Sequence, residues 1–153
     1  MQLHSVSVPF QHSPEMPGRS FECDDASLDP RIKNHISLFY AAADTTDHEH
    51  WASFLSEDAS FSKGTVVLKG RENILAQRKR TWKDNQKKEH IVFKVFPLGV
   101  GALEVMLYGK STWWYGDGTT AEAAWAARIH YKEVNGDVKA DLYNIYMPLP
   151  PPN

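Results

Sequence analysis

The chain has very little cysteine, no long apolar run and almost no net charge, and each shortage removes a class of function. Cys23 is the single cysteine among 153 residues, so an intramolecular disulfide and a cysteine-built zinc cluster are both excluded. No N-terminal stretch is apolar enough to read as a signal peptide or a membrane span, so a cytoplasmic protein with no membrane partner is expected. Lysine and arginine total 17 against 19 aspartates and glutamates, a net charge of −2 with the signs interspersed. Such a balance implies no polyanion partner. The one basic stretch, Arg78-Lys79-Arg80 with Lys83, Lys87 and Lys88, reads as the solvated face of a helix and the loop after it, not as a nucleic-acid surface.

Internal repeats are absent too. Residues 1–28 hold Pro9, Pro14 and Pro17 with scattered serines and little periodicity, and read as an N-terminal arm. Residues 29–147 form one domain, and residues 148–153 a proline-rich tail. Asp29-Pro30 opens a helix predicted over 30–44, with Asp as cap and Pro at the first position. A second helix is predicted over 47–55 and a third over 71–83. Strands follow at 59–63, 66–68, 91–96, 103–115, 121–134 and 138–147, with Gly116-Asp117-Gly118 and Asn135-Gly136 as turn signals. Helices first and a meander afterwards argue for an α+β fold, a curved antiparallel sheet closing into a cone over the N-terminal helices.

Five tryptophans and six tyrosines are abundant for a domain of this size. They suit a pocket with a flat, polar-edged ligand, because indole and phenol carry polar tips on apolar bodies. Strand alternation puts Ser111, Trp113, Tyr115, Trp125 and Ala127 on one sheet face if Gly116 to Gly118 form a three-residue loop. The last strand has two possible registers. A two-residue Asn135-Gly136 turn sets Asn144 and Tyr146 beside Trp125 and Ala127, and a three-residue connection sets Tyr143, Ile145 and Met147 there. A slip of one residue reverses every side chain.

Two short runs carry the chemistry. Ala43-Asp44-Thr45-Thr46-Asp47-His48-Glu49-His50-Trp51 places acids and histidines at a helix junction, and His90 stands at the start of a strand. Asp47 fits a helix cap, with Thr46 to Glu49 in capping-box spacing. His48 and His50 form a His-x-His pair without a third ligand at suggestive spacing, so no metal is expected. A histidine with a carboxylate to orient it is a competent general base near neutral pH.

These two runs, with the order of helices and strands, resemble the nuclear-transport-factor-2-like superfamily over residues 29–147, in particular its SnoaL-like and scytalone dehydratase-like branch. The resemblance implies a cofactor-independent enzyme of secondary metabolism acting on a small apolar organic substrate of polyketide or terpenoid type. The reaction would be dehydration, isomerisation or cyclisation. The resemblance also implies a homodimer. It assigns His90 as the general acid/base and Asp47 as its supporting acid, and it favours Tyr143, Ile145 and Met147 on the pocket face. Tyr115 or Tyr143 would donate a hydrogen bond to a substrate carbonyl. Trp51, Ile74, Trp82, Ser111, Trp113, Trp125, Ile145 and Met147 would bind the substrate.

Departures from that branch fall at Tyr115, which stands for a second histidine, at Trp125 and Ala127, which stand for a serine and an asparagine, and at Thr46 and Lys63, which stand for tyrosines. They argue against scytalone itself and for a more apolar, aromatic cavity. The alternative is a non-catalytic binding or dimeric interaction module of the same fold.

Overall fold

A computed structural model describes residues 18–82 and 85–148. Residues 1–17 of the expected arm and 149–153 of the tail lie outside the described residues. Helix α1 (Pro30–Ala43) begins as its sequence predicts: the Asp29 carboxylate accepts from the Arg31 backbone N–H at 2.8 Å, with Pro30 in the first turn. Its buried face carries Ile32, His35, Ile36, Phe39 and Tyr40, spaced three and four apart. The helix stops one residue before the predicted end, and Asp44 is its C-cap.

Helix α2 (His48–Ala52) is shorter than predicted. Leu55 is not helical; it is buried and opens strand β1 (Leu55–Lys63), because its side chain finds the sheet core. Strand β2 (Val66–Lys69) pairs back on β1, and Gly70, at φ +90°, supplies a left-handed turn that side chains rarely adopt before helix α3 (Arg71–Thr81).

The remaining strands are β3 (Asn85–Pro97), β4 (Glu104–Tyr115), β5 (Thr120–Val134) and β6 (Asp137–Tyr146). β3 starts six residues earlier than predicted, so His90 lies within the strand and not at its start. The six strands form one curved, open sheet in the order β2-β1-β6-β5-β4-β3. The sheet is not wholly antiparallel as expected: β1 pairs with β6 in parallel. The two strands are separated in sequence by four strands and helix α3, and a parallel pair requires such a long crossover.

Two local devices set the register. The β4–β5 hairpin has the predicted three-residue loop, and it pairs Trp113 with Ala121, Ser111 with Ala123 and Gly109 with Trp125. At the β5–β6 hairpin both predicted alternatives contain part of the answer. Val134 pairs with Asp137 across a two-residue turn, but the register shifts by one between Tyr131–Ala140 and His130–Leu142. Asp141 is the extra residue of that bulge, and beyond it Ile129 faces Tyr143 and Ala127 faces Ile145. The Asp141 carboxylate is bonded to the His130 ring at 2.6 Å. At Gly109 a Cβ would sit 2.1 Å from the Ile91 carbonyl oxygen and 2.7 Å from the Trp125 ring. Only glycine lets that indole lie across β4.

Candidate active site

The concave side of the sheet, with α2 and α3, encloses a cavity of about 1080 Å³. Strand alternation builds its wall: Phe61 and Lys63 from β1, Lys88 and His90 from β3, Trp113 and Tyr115 from β4, and Tyr143 and Ile145 from β6, two apart on each strand. Trp51 of α2, Ile74 and Arg78 of α3, and Met147 after β6 complete it.

His90 is held by an acid, and the acid is Asp44. Its carboxylate lies 2.6 Å from His90 Nδ1 through Oδ1 and accepts the His90 backbone N–H at 3.0 Å through Oδ2. The expected partner, Asp47, is elsewhere. It is exposed and caps α2, accepting the His50 backbone N–H at 3.0 Å. The reason is geometric. Asp44 sits at the end of α1 where the chain leaves the helix against β3, whereas Asp47 lies beyond the turn and finds the free amides of α2. Arg19, from the segment before α1, bonds Asp44 Oδ2 at 2.6 Å. The Asp44 side chain is 7% exposed, so its charge is met by partners and not by water.

With an ionised Asp44, the proton on Nδ1 belongs to the histidine, which leaves Nε2 as a lone pair. The His90 ring has no other hydrogen-bond partner among the described residues. The arrangement is that of a general base whose tautomer is fixed by a buried carboxylate.

Arg78 explains how Asp44 is placed. Its guanidinium lies between Trp51 and Trp82, 4.6 and 4.5 Å from their ring centroids. It donates to the carbonyls of Ala43 and Thr45 at 3.1 and 3.0 Å and to His48 Nδ1 at 3.1 Å. These carbonyls flank Asp44 at the C-terminal end of α1, where unpaired acceptors attract a cation. Burial lowers the pKa of Arg78 to about 10, so it remains charged at neutral pH. Burial first, and then the Arg78 charge, lower that of His48, which favours the neutral ring as the acceptor.

Tyr143 and Tyr40 share a hydroxyl–hydroxyl hydrogen bond of 3.1 Å. Tyr40 is wholly buried and has no other hydrogen-bond partner among the described residues, which favours donation of its proton to Tyr143. The Tyr143 proton is then free for the cavity. Burial pushes the Tyr143 pKa up to about 12, against the pull of Tyr40 and Arg78, which favours the protonated phenol.

Of the residues expected to bind substrate, Trp51, Ile74, Trp113, Ile145 and Met147 line the cavity, as do Tyr115 and Tyr143. Trp82, Ser111 and Trp125 do not line it. Ser111 and Trp125 share the inward face but lie further along their strands, where the cavity floor is packed. Trp125 stacks on Tyr40 at 5.2 Å and touches the His90 ring edge-on at 6.2 Å, a core position that supports the base. Trp82 packs under Arg78 and under Lys88, whose ammonium is 4.1 Å from the ring centroid.

The cavity is less apolar than its sequence implies, because Lys63, Arg78 and Lys88 all line it. Lys88 had been counted with the solvated basic stretch, but it lies two residues before His90 and so shares its face of β3. That spacing was readable once β3 was extended. Among the described residues no group of three or more metal-ligating side chains occurs, and no helix is long and apolar enough to cross a membrane.

No protein-family model matches the sequence, and no curated protein matches it with significance. Solved structures do. The chain is similar to a protein of Novosphingobium aromaticivorans assigned as an aromatic ring hydroxylase, with 17% identity and a TM-score of 0.71 over 78% of this chain and 88% of that one. An NTF2-like family protein of Streptomyces avermitilis assigned as a dehydratase matches with 14% identity and a TM-score of 0.68 over 78% and 96% of the two chains. A protein of Novosphingobium aromaticivorans assigned as a scytalone dehydratase matches with 14% identity and a TM-score of 0.66 over 78% and 83%. At these identities it is the fold that is shared, and the resemblance read from the sequence holds at that level: the chain has the nuclear-transport-factor-2-like α+β fold.

Proposed function

We propose that the protein is a cofactor-independent enzyme that moves protons on a carbonyl-bearing organic substrate, with His90 as general base and Asp44 as its orienting acid. The observation that carries this reading is the Asp44–His90 contact of 2.6 Å at the wall of a large cavity. His90 Nε2 takes a proton from the carbon next to the carbonyl, and Asp44 stabilises the imidazolium that forms. The enolate oxygen is met by hydroxyl donors, for which Tyr115 and Tyr143 are the candidates on the wall. The His90 imidazolium then returns its proton: to the departing β-hydroxyl, which leaves as water in dehydration; to another carbon in isomerisation; or to the alkoxide formed when the enolate attacks a second carbonyl in cyclisation. These are three fates of one intermediate, so the same dyad is competent for any one of the three reactions.

The test is a panel of β-hydroxy ketones and 1,3-dicarbonyl compounds followed by NMR in deuterium oxide, reading both elimination and exchange at the α-carbon. His90→Ala is expected to lower the rate roughly 10²- to 10⁴-fold on any compound turned over. A folded His90→Ala protein as active as the parent rejects the mechanism, as does a panel with neither exchange nor elimination. The proposal includes a secondary-metabolic role and a homodimer. The exposed ring cluster Phe93, Phe96 and Tyr108 offers an apolar face for a second copy, and a monomeric mass in sedimentation equilibrium rejects the dimer.

A further inference from the structure

Lys63, Arg78 and Lys88 come from three different elements, β1, α3 and β3, and meet on the wall of one cavity. Neither lysine has a carboxylate partner among the described residues. Lys88 is half-buried and rests on the Trp82 ring. Arg78 spends Nε and one terminal nitrogen on His48 and the Ala43 and Thr45 carbonyls, which leaves its other terminal nitrogen without a hydrogen-bond partner among the described residues. The acids nearby do not neutralise this group. Asp44 is engaged by His90 and Arg19, and Glu122 at the rim is engaged by Lys110 at 3.1 Å and Thr112 at 3.3 Å. Lys88 is half-buried with no carboxylate bonded to it, and Arg78 and Lys63 add their charges on the same wall, so the cavity presents a positive field to an anion.

We infer that this cluster is a subsite for an organic carboxylate, so that the substrate of the proposed enzyme is an acid with an apolar body. The inference rests on the reading of the cavity as a substrate site and adds the class of ligand. The guanidinium edge and two ammonium groups supply charge-assisted donors for a carboxylate, while Trp113, Ile145 and Met147 take the apolar remainder. The carboxylate end is thereby anchored while the reacting carbon is presented to His90. This differs from the small apolar substrate that the resemblance implies, because the cations lie between positions 63 and 88 on three elements and only the fold collects them.

Titration of Lys88 adds a signature. Burial, then the charges of Arg78 and Lys63, lower its pKa to about 7, with Asp44 acting in the opposite sense. Lys63 is lowered as well by desolvation, although it is exposed to the cavity's water. The groups facing Lys88 are thus Lys63 on β1, Arg78 on α3, Asp44 after α1 and His90 on its own strand, with Tyr115, Glu122 and Tyr143 further round the wall. An anion that prefers the charged amine binds best below about pH 7 and progressively less well above it.

The test uses 2-naphthoate as the probe and 2-naphthamide as its uncharged counterpart, with calorimetric titration of the full chain. Naphthoate is expected to bind at least tenfold more tightly than the amide. Lys88→Met is expected to weaken naphthoate tenfold or more, to leave the amide unchanged, and to flatten the fall of affinity between pH 6 and pH 9. Lys63→Met, at an exposed position, provides a second variant if Lys88→Met folds poorly. Equal affinity for acid and amide, no naphthoate binding at millimolar concentration, or an unchanged naphthoate affinity in the folded variants overturns the inference. Binding is read without turnover. A protein that binds naphthoate but exchanges no protons fails only as the proposed enzyme, and one that turns over neutral ketones without discriminating acid from amide fails only this inference.

Discussion

Replacing Asp44 and Asp47 in turn separates the two acids of the helix junction. In Asp44→Asn the charge is lost from a side chain that is 7% exposed and accepts from the His90 ring, the His90 backbone N–H and Arg19. Asparagine keeps one acceptor oxygen and turns an NH2 group toward donors, so at least one contact becomes donor against donor. Hydrogen bonds involving charged groups contribute about 1.5–3 kcal/mol each. Arg19 keeps partial access to solvent, so its share is discounted. The expected loss is therefore about 3 kcal/mol. Asp47→Asn should change stability by less than ~0.5 kcal/mol, because asparagine caps a helix as well as aspartate does. Urea unfolding followed by tryptophan fluorescence measures both, with the midpoint interpreted only where the slope is unchanged. Nitrogen-15 NMR of the histidine rings adds a direct readout: the parent His90 should carry its proton on Nδ1, and Asp44→Asn should let the other tautomer appear. An Asp44→Asn protein as stable as the parent with the tautomer unmoved, or a larger loss in Asp47→Asn, refutes the assignment of Asp44 as the orienting acid.

Two further outcomes follow from the core. Burial lowers the pKa of His35 from 6.5 to about 4, opposed by its bond of 2.9 Å to the Phe54 carbonyl. Below pH 6.5 the unfolded chain binds a proton that the folded chain refuses, so stability falls as pH drops from about 6.5 to about 4, by about 3 kcal/mol in all, and is complete above that window; denaturant melts across this range should show a steeper slope in the parent than in His35→Gln, and equal slopes would sink the claim. Trp125→Ala should cost about 3–5 kcal/mol because it empties a packed floor under Tyr40 and His90; a stable variant with altered ligand preference would instead return Trp125 to the cavity wall.

The helices, the strands and the β4–β5 loop were legible in sequence because they depend on local signals: an Asp-Pro start, alternation along strands, and glycines at a turn. The inward set Trp113, Tyr115, Tyr143, Ile145 and Met147 followed from alternation and resemblance together. His90 was singled out as a histidine at a strand start that could pair with an acid, and the resemblance supported it. What the chain could not reveal locally was partnership. Asp44 and Asp47 are chemically alike and three residues apart, and the choice between them depends on where α1 ends against β3, a contact between residues 46 apart in sequence. The bulge at Asp141 is one extra residue in a strand with no glycine or proline to announce it. Arg78 and Lys88 read as part of a solvated basic stretch, and Lys63 only as a departure where the related branch has a tyrosine, because a solvated lysine and a cavity lysine have the same neighbours in sequence. Sequence by itself determined the elements and the faces of the strands, through short-range sterics and periodicity. Tertiary structure alone decided which charges meet, because charge pairing depends on distance in space, and only the folded sheet brings distant positions to the same cavity.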